Sequence, residues 1–197
     1  MYLCLRAAAT IAAALAVSAC LPVTSKTPVG TTVGLKADQT LAGMWKGRSG
    51  TDNNSFYLTF FPQDDGTLKA LLLTPPDTKD KGGWLTFSVQ TAMLGRNQFL
   101  DAKELDDSGK PPDTKLADNT IPLLYRVNGD GALVLYLADE KAVSAAIKQG
   151  KIAGDIEPGQ FGDVTLTASA AELDALLGTP TGRALFKKPL AIFKRVK

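Results

Sequence analysis

The chain has 197 residues, with 22 Lys and Arg against 20 Asp and Glu and not one histidine. A net charge of +2 gives no basis for binding nucleic acid, and the lack of histidine removes the commonest general base and the commonest metal ligand. Both cysteines, Cys4 and Cys20, fall at or before position 20, so the rest of the chain folds without an internal disulfide.

Residues 1–19 carry one charge, Arg6, ahead of an apolar block over 7–17 and the small residues Ser18 and Ala19. This is the pattern of a secretory signal peptide rather than of a folded helix. An uncleaved membrane anchor is the competing reading, but Arg6 leaves the run shorter than the roughly 20 residues a spanning helix needs. Val17-Ser18-Ala19-Cys20 resembles the lipobox of bacterial lipoproteins. The resemblance implies cleavage before Cys20, with a diacylglycerol on its sulfur and an acyl chain on its amine. Several chains on one residue exceed the two signals that stable anchoring requires. Leu21, where such proteins often carry aspartate for inner-membrane retention, implies the periplasmic face of the outer membrane. The membrane is then the first expected partner, and the covalent lipid stands in place of any cofactor.

Residues 20–40 are rich in Thr, Gly, Pro, Val and Lys and have no apolar period. They read as a lipidated flexible tether, with an average span of roughly 25 Å if unstructured. A single domain over 41–197 is expected beyond it. From position 41 the pattern becomes period two, the mark of half-buried strands. Phe56, Leu58 and Phe60 alternate with Tyr57, Thr59 and Phe61; Leu85, Phe87 and Val89 alternate with Thr86, Ser88 and Gln90. Strands are predicted over 42–48, 55–62, 67–74, 84–93, 98–104, 121–127 and 132–137. Asp64-Asp65-Gly66, Gly95-Arg96-Asn97 and Asn128-Gly129-Asp130-Gly131 supply tight hairpin turns.

Those tight turns are the second, fourth and sixth connections of a meander, so they share one end. The first, third, fifth and seventh are long and share the other end, where binding would concentrate. The pentapeptide Pro-Pro-Asp-Thr-Lys stands at 75–79 and again at 111–115, in two of these long connections. After 137 the period changes. Residues 139–149 place Ala142, Val143, Ala146 and Ile147 on one helical face, with Gly150 as a stop. A strand over 163–167 follows. Ser169-Ala170-Ala171-Glu172 forms a capping box that opens a second short helix bearing Leu173, Leu176 and Leu177. A last strand covers 190–196. The expected fold is mainly β: an antiparallel up-and-down barrel of about nine strands, with two short helices covering an opening.

Gly43-Met44-Trp45 in the first strand resembles the Gly-x-Trp opening of the lipocalins. That resemblance implies a lipocalin-like barrel whose floor is closed by Gly43 and Trp45 beneath a basic residue of the last strand, Arg195 or Lys194. Stacking a guanidinium on the indole would contribute about 0.5–2 kcal/mol. Tyr57, Trp84, Tyr125 and Tyr136 are candidate cavity-lining residues. No Ser-His or Cys-His pair can be built, and no nucleophile elbow or phosphate loop appears, so no catalytic residues are assigned. Carboxylates cluster at Asp64-Asp65 and at Asp101, Glu104, Asp106 and Asp107, where solvated turn chemistry competes with calcium or glycoside chemistry; no metal is expected. The basic stretch 183–197 reads either as a contact for anionic headgroups or as lysines that protect an edge strand. Two functions remain. The barrel binds an apolar ligand or lipid at its long-loop end, or a filled barrel docks an envelope protein or polymer.

Overall fold

The computed structural model describes residues 22–48, 55–76, 81–112, 114–157, 163–187 and 189–197. Cys20 and the signal segment lie outside them, as do parts of both Pro-Pro-Asp-Thr-Lys pentapeptides.

Eight antiparallel strands close into a barrel: β2 (Gly43–Arg48), β3 (Ser55–Pro62), β4 (Leu68–Thr74), β5 (Gly83–Leu94), β6 (Asn97–Asp107), β7 (Ile121–Val127), β8 (Leu133–Leu137) and β11 (Pro189–Arg195). The alternation that marks these strands also sets their faces. Trp45 pairs with Leu58, and Leu58 with Leu72, one inward row of the register. Leu68, Val89 and Ala102 form another. Closure comes from β11, which pairs with β2 on one side and β8 on the other, leaving no free barrel edge.

The expected count of nine strands is corrected by where the strand near 163–167 goes. β10 (Val164–Leu166) lies outside the barrel, in a small sheet between β1 (Thr24–Ser25) and β9 (Gly154–Ile156). This sheet and the helices do not cover an opening either. They pack on the outer wall. Phe99, Leu124 and Tyr136 are opposed across β6, β7 and β8 and point outward. They form a second core with Val143 and Ala146 of α2 (Glu140–Lys148), Leu173 and Leu177 of α3 (Ala170–Leu177), and Val164 and Leu166 of β10. Each fully buried side chain of this kind contributes about 1.5–3 kcal/mol. The helix over 140–148 starts on an Asp139 cap, and Ser169 and Glu172 make the reciprocal capping-box bonds of α3. Two further helical turns, α1 (Thr114–Asp118) and α4 (Pro180–Arg183), are too short to carry a period.

The tether reading of 20–40 needs the largest correction. From Val23 onward the segment is a strap built into the domain. Val23 and Val29 are buried in the outer core. Ser25 exchanges two backbone hydrogen bonds with Thr120, at 2.8 and 2.9 Å, and Lys36 exchanges two with Thr91, at 2.9 and 2.7 Å. Its docking is irregular, through isolated bridges and single valines, which is why it leaves no periodic signal. Two carboxylates fasten its middle. Asp101 of β6 accepts from the Val29 N–H at 3.0 Å, and Asp174 of α3 accepts from the N–H groups of Gly30 and Thr32 and from the Thr32 hydroxyl.

Gly30 sits between these bonds with φ of +91°, and a Cβ there would stand 1.9 Å from the Ala92 Cβ. Gly30→Ala therefore meets both a strained backbone and a filled position, and is expected to destabilise by about 1–3 kcal/mol. Limited proteolysis reads this directly: new cleavage within 22–40 at temperatures where the parent chain resists. An unchanged digest would mean the strap is not held at Gly30.

Candidate functional site

The tight-turn end of the barrel is a closed floor. Trp45, 1% exposed, donates its indole N–H to the Leu41 carbonyl at 2.8 Å. Leu41 ends a 3-10 turn, Gln39–Leu41, that plugs the barrel from below. The Arg195 guanidinium lies 4.1 Å from the Trp45 ring centroid and donates to the carbonyls of Ala42 and Thr40. Arg195 reaches this place because it pairs with Trp45 across β11 and β2, on the same face; Lys194, one residue earlier, pairs with Lys46 and points outward. Gly43 has φ of +109°, and a Cβ on it would come within 3.0 Å of the Arg195 side chain. Gly43, Trp45 and Arg195 thus form one assembly.

Tyr125 joins the floor from above. Its hydroxyl donates to Asp38 at 2.7 Å, and burial together with that carboxylate raises the phenol well above its ordinary value. Burial alone would raise Asp38. The Thr40 and Tyr125 hydroxyls and the Thr40 N–H outweigh it and hold the carboxyl below the usual aspartate value.

The four candidate cavity aromatics do not converge. Tyr125 faces inward, whereas Tyr57 and Trp84 face solvent from β3 and β5, and Tyr136 faces the outer core. The interior they were expected to line is occupied over its floor half. Leu41, Trp45, Phe60, Leu68, Val89, Tyr125, Leu133 and Phe193 are each at most 2% exposed. A void large enough for water would leave surface on the side chains around it, and these have almost none. Toward the long-loop end packing loosens: the inward-facing Leu72, Phe87, Ile121, Leu137 and Leu190 are half-buried.

The carboxylates named in the sequence take separate roles. Asp65 caps its own turn by accepting from Thr67, and Asp106 accepts from the Trp84 indole at 3.1 Å. Asp101 is buried beneath the strap, and its second oxygen has no hydrogen-bond partner. Burial, with the nearby Asp174 charge adding to it, pushes Asp101 up to about 8. Among the described residues no group of three or more metal-ligating side chains converges, and no helix is long and apolar enough to cross a membrane.

A surface that the sequence reading did not single out lies on the uncovered wall of β2–β5. Tyr57 pairs with Leu73 and Leu73 with Trp84, so the three form a continuous outward row. Leu73 is 39% and Trp84 43% exposed, and Met44, opposite Thr59 on the same wall, is 44% exposed. The Lys46 ammonium stands 5.7 Å from the Tyr57 ring centroid and edges the row with charge. A signal for it was present in the alternation: a residue between two core positions must face the other way. Compared with protein-family models, with curated proteins and with solved structures, the chain finds no match.

Proposed function

We propose that this chain is a lipid-anchored, non-catalytic protein of the bacterial cell envelope, held at the periplasmic face of the outer membrane through Cys20. Its lipocalin-like barrel serves as a docking module for an envelope protein. The observation that carries this reading is the contrast between a barrel filled over its floor half and an apolar row, Tyr57–Leu73–Trp84, exposed on a wall that none of the described helices covers. Exposed apolar side chains grouped in one place, with a charged edge, are typical of protein contact surfaces. A second reading has its own support: the half-buried Leu72, Phe87, Ile121, Leu137 and Leu190 would seat an apolar ligand at the long-loop mouth.

A photoreactive amino acid placed at Leu73 in living cells tests the first reading. One discrete adduct is expected from Leu73 and none from Lys69, two positions along the same strand face, and Trp84→Ser should remove the Leu73 adduct. Equal labelling from both positions, or none from either, would end this proposal. Native mass spectrometry of the protein taken from its own membrane separates the readings, because a retained lipid beyond the chains on Cys20 favours the mouth. Cys20→Ser should release the protein from the membrane fraction. Its retention there would remove the anchoring part of the account.

A further inference from the structure

Beside the tight turn Gly95-Arg96, outside the barrel, a groove of about 750 Å³ runs between the β6–β8 wall and the segment that follows α3. Arg96, Arg126, Arg183 and Lys187 line it, and no Asp or Glu does. Tyr136 supplies apolar surface within the same groove, and Phe186, 5% exposed and edge-on against Phe99 at 5.5 Å, underlies it. We propose that this groove is a binding site for a phosphate-bearing amphiphile, with the phosphate held by the cations and the apolar part laid along Tyr136.

Three facts carry the assignment. The chain has six arginines, and three of them meet here although they lie in a hairpin turn, a barrel strand and a short helix far apart in sequence. Arginine presents a planar fork of donors that matches phosphate and carboxylate oxygens, and it binds them more specifically than lysine does. Arginines on a protein of balanced charge usually find a carboxylate nearby, yet no Asp or Glu lines the groove around these four cations. Like charges gathered along a groove without a carboxylate repel one another, so the arrangement is stabilised when an anion enters it. The pairing of this charge with the partly exposed Tyr136 ring then selects an anion that carries an apolar part over a bare ion. The site is independent of the docking wall and the long-loop mouth.

The test uses the full lipidated chain in neutral detergent and isothermal titration calorimetry. Dihexanoyl phosphatidic acid is expected to bind, inorganic phosphate to bind at least tenfold more weakly, and dihexanoyl phosphatidylcholine not at all. Vesicles of phosphatidylglycerol ask whether the phosphate can come from an intact bilayer. Binding to the vesicles as well as to the soluble probe assigns the site to headgroups; binding to the soluble probe alone assigns it to a free ligand. Arg96→Gln with Arg183→Gln removes two exposed charges without touching either core, and should weaken the soluble probe at least tenfold. Lys194→Gln, an exposed cation on β11 outside the groove, should leave its affinity within twofold. Equal loss from both variants, equal affinity for phosphatidylcholine, or binding to vesicles without binding to the soluble probe would each overturn the assignment.

Discussion

Trp45→Ala is expected to destabilise the domain by about 3–5 kcal/mol, the range for removing a large aromatic side chain from a filled core. Three contacts end together: the indole packing inside the barrel, the hydrogen bond to the Leu41 carbonyl, and the stack under Arg195. Arg195 would still donate to the carbonyls of Ala42 and Thr40, so the 3-10 plug keeps one attachment. Arg195→Ala, by contrast, removes an exposed side chain and its stack while leaving the indole packed. It should destabilise by about 1–2 kcal/mol through the lost stacking and hydrogen bonds. Urea unfolding of the two variants checks the order. If Arg195→Ala equals Trp45→Ala, the floor is held by the surface cation rather than by the buried ring.

The second large effect is a loss of stability toward alkaline pH, set by Asp101. Its folded value is about 8 against an unfolded value near 3.8, because burial and the neighbouring Asp174 both disfavour its charge. The native state therefore binds the extra proton over that interval. Its contribution is complete below about pH 4, declines as pH rises, and is gone above about pH 8. The span corresponds to an upper limit of about 6 kcal/mol, at about 1.4 kcal/mol per pH unit of difference. Asp101→Asn keeps an oxygen for the Val29 N–H and removes the titration. Urea midpoints at pH 5, 7 and 9 should fall steeply for the parent and much less for the variant, so that the variant is the more stable of the two at pH 9. Parallel pH profiles would show that Asp101 is not the titrating group.

How far the sequence could be read depended on whether each segment carries a period. Seven of the predicted strands and the last one are barrel strands, each at least five residues long and so long enough to carry a pattern. β1 and β9, at two and three residues, cannot show alternation at all. The position of the helices was misjudged for a different reason. Leu123, Leu124 and Tyr125 are all buried, as are Leu133, Val134 and Leu135. A continuous apolar run of that kind marks a strand covered on both faces. Reading it only as alternation left no place for an outer layer, and the helices were assigned to the barrel opening instead.

For the site residues, face parity was the usable information. The resemblance of Gly43-Met44-Trp45 to the lipocalin opening points to Arg195 or Lys194 as the partner of Trp45, and the register of β11 on β2 selects Arg195. Tyr57 stands between Phe56 and Leu58, two core residues, so alternation already places it outside. Tyr125 and Tyr136 lie on opposite sides of the sheet, which only the register between β7 and β8 reveals. The cationic groove was not legible. Arg96, Arg126, Arg183 and Lys187 share no motif, and what unites them is the path of the chain after β8 across the outer wall.

The early docking of the strap limits how far the domain could stand from a bilayer under the proposed lipid anchor. Ser25 is tied to Thr120, immediately before β7 starts at the long-loop end, and Val23 is already buried. With the proposed fatty chains on Cys20, the three steps from Cys20 to Val23 could span at most about 11 Å. The barrel would then lie low against the lipid with its open rim turned toward the headgroups and its Trp45 floor pointing away. Under the proposed anchoring, a partner would have to come to the membrane surface to meet the domain.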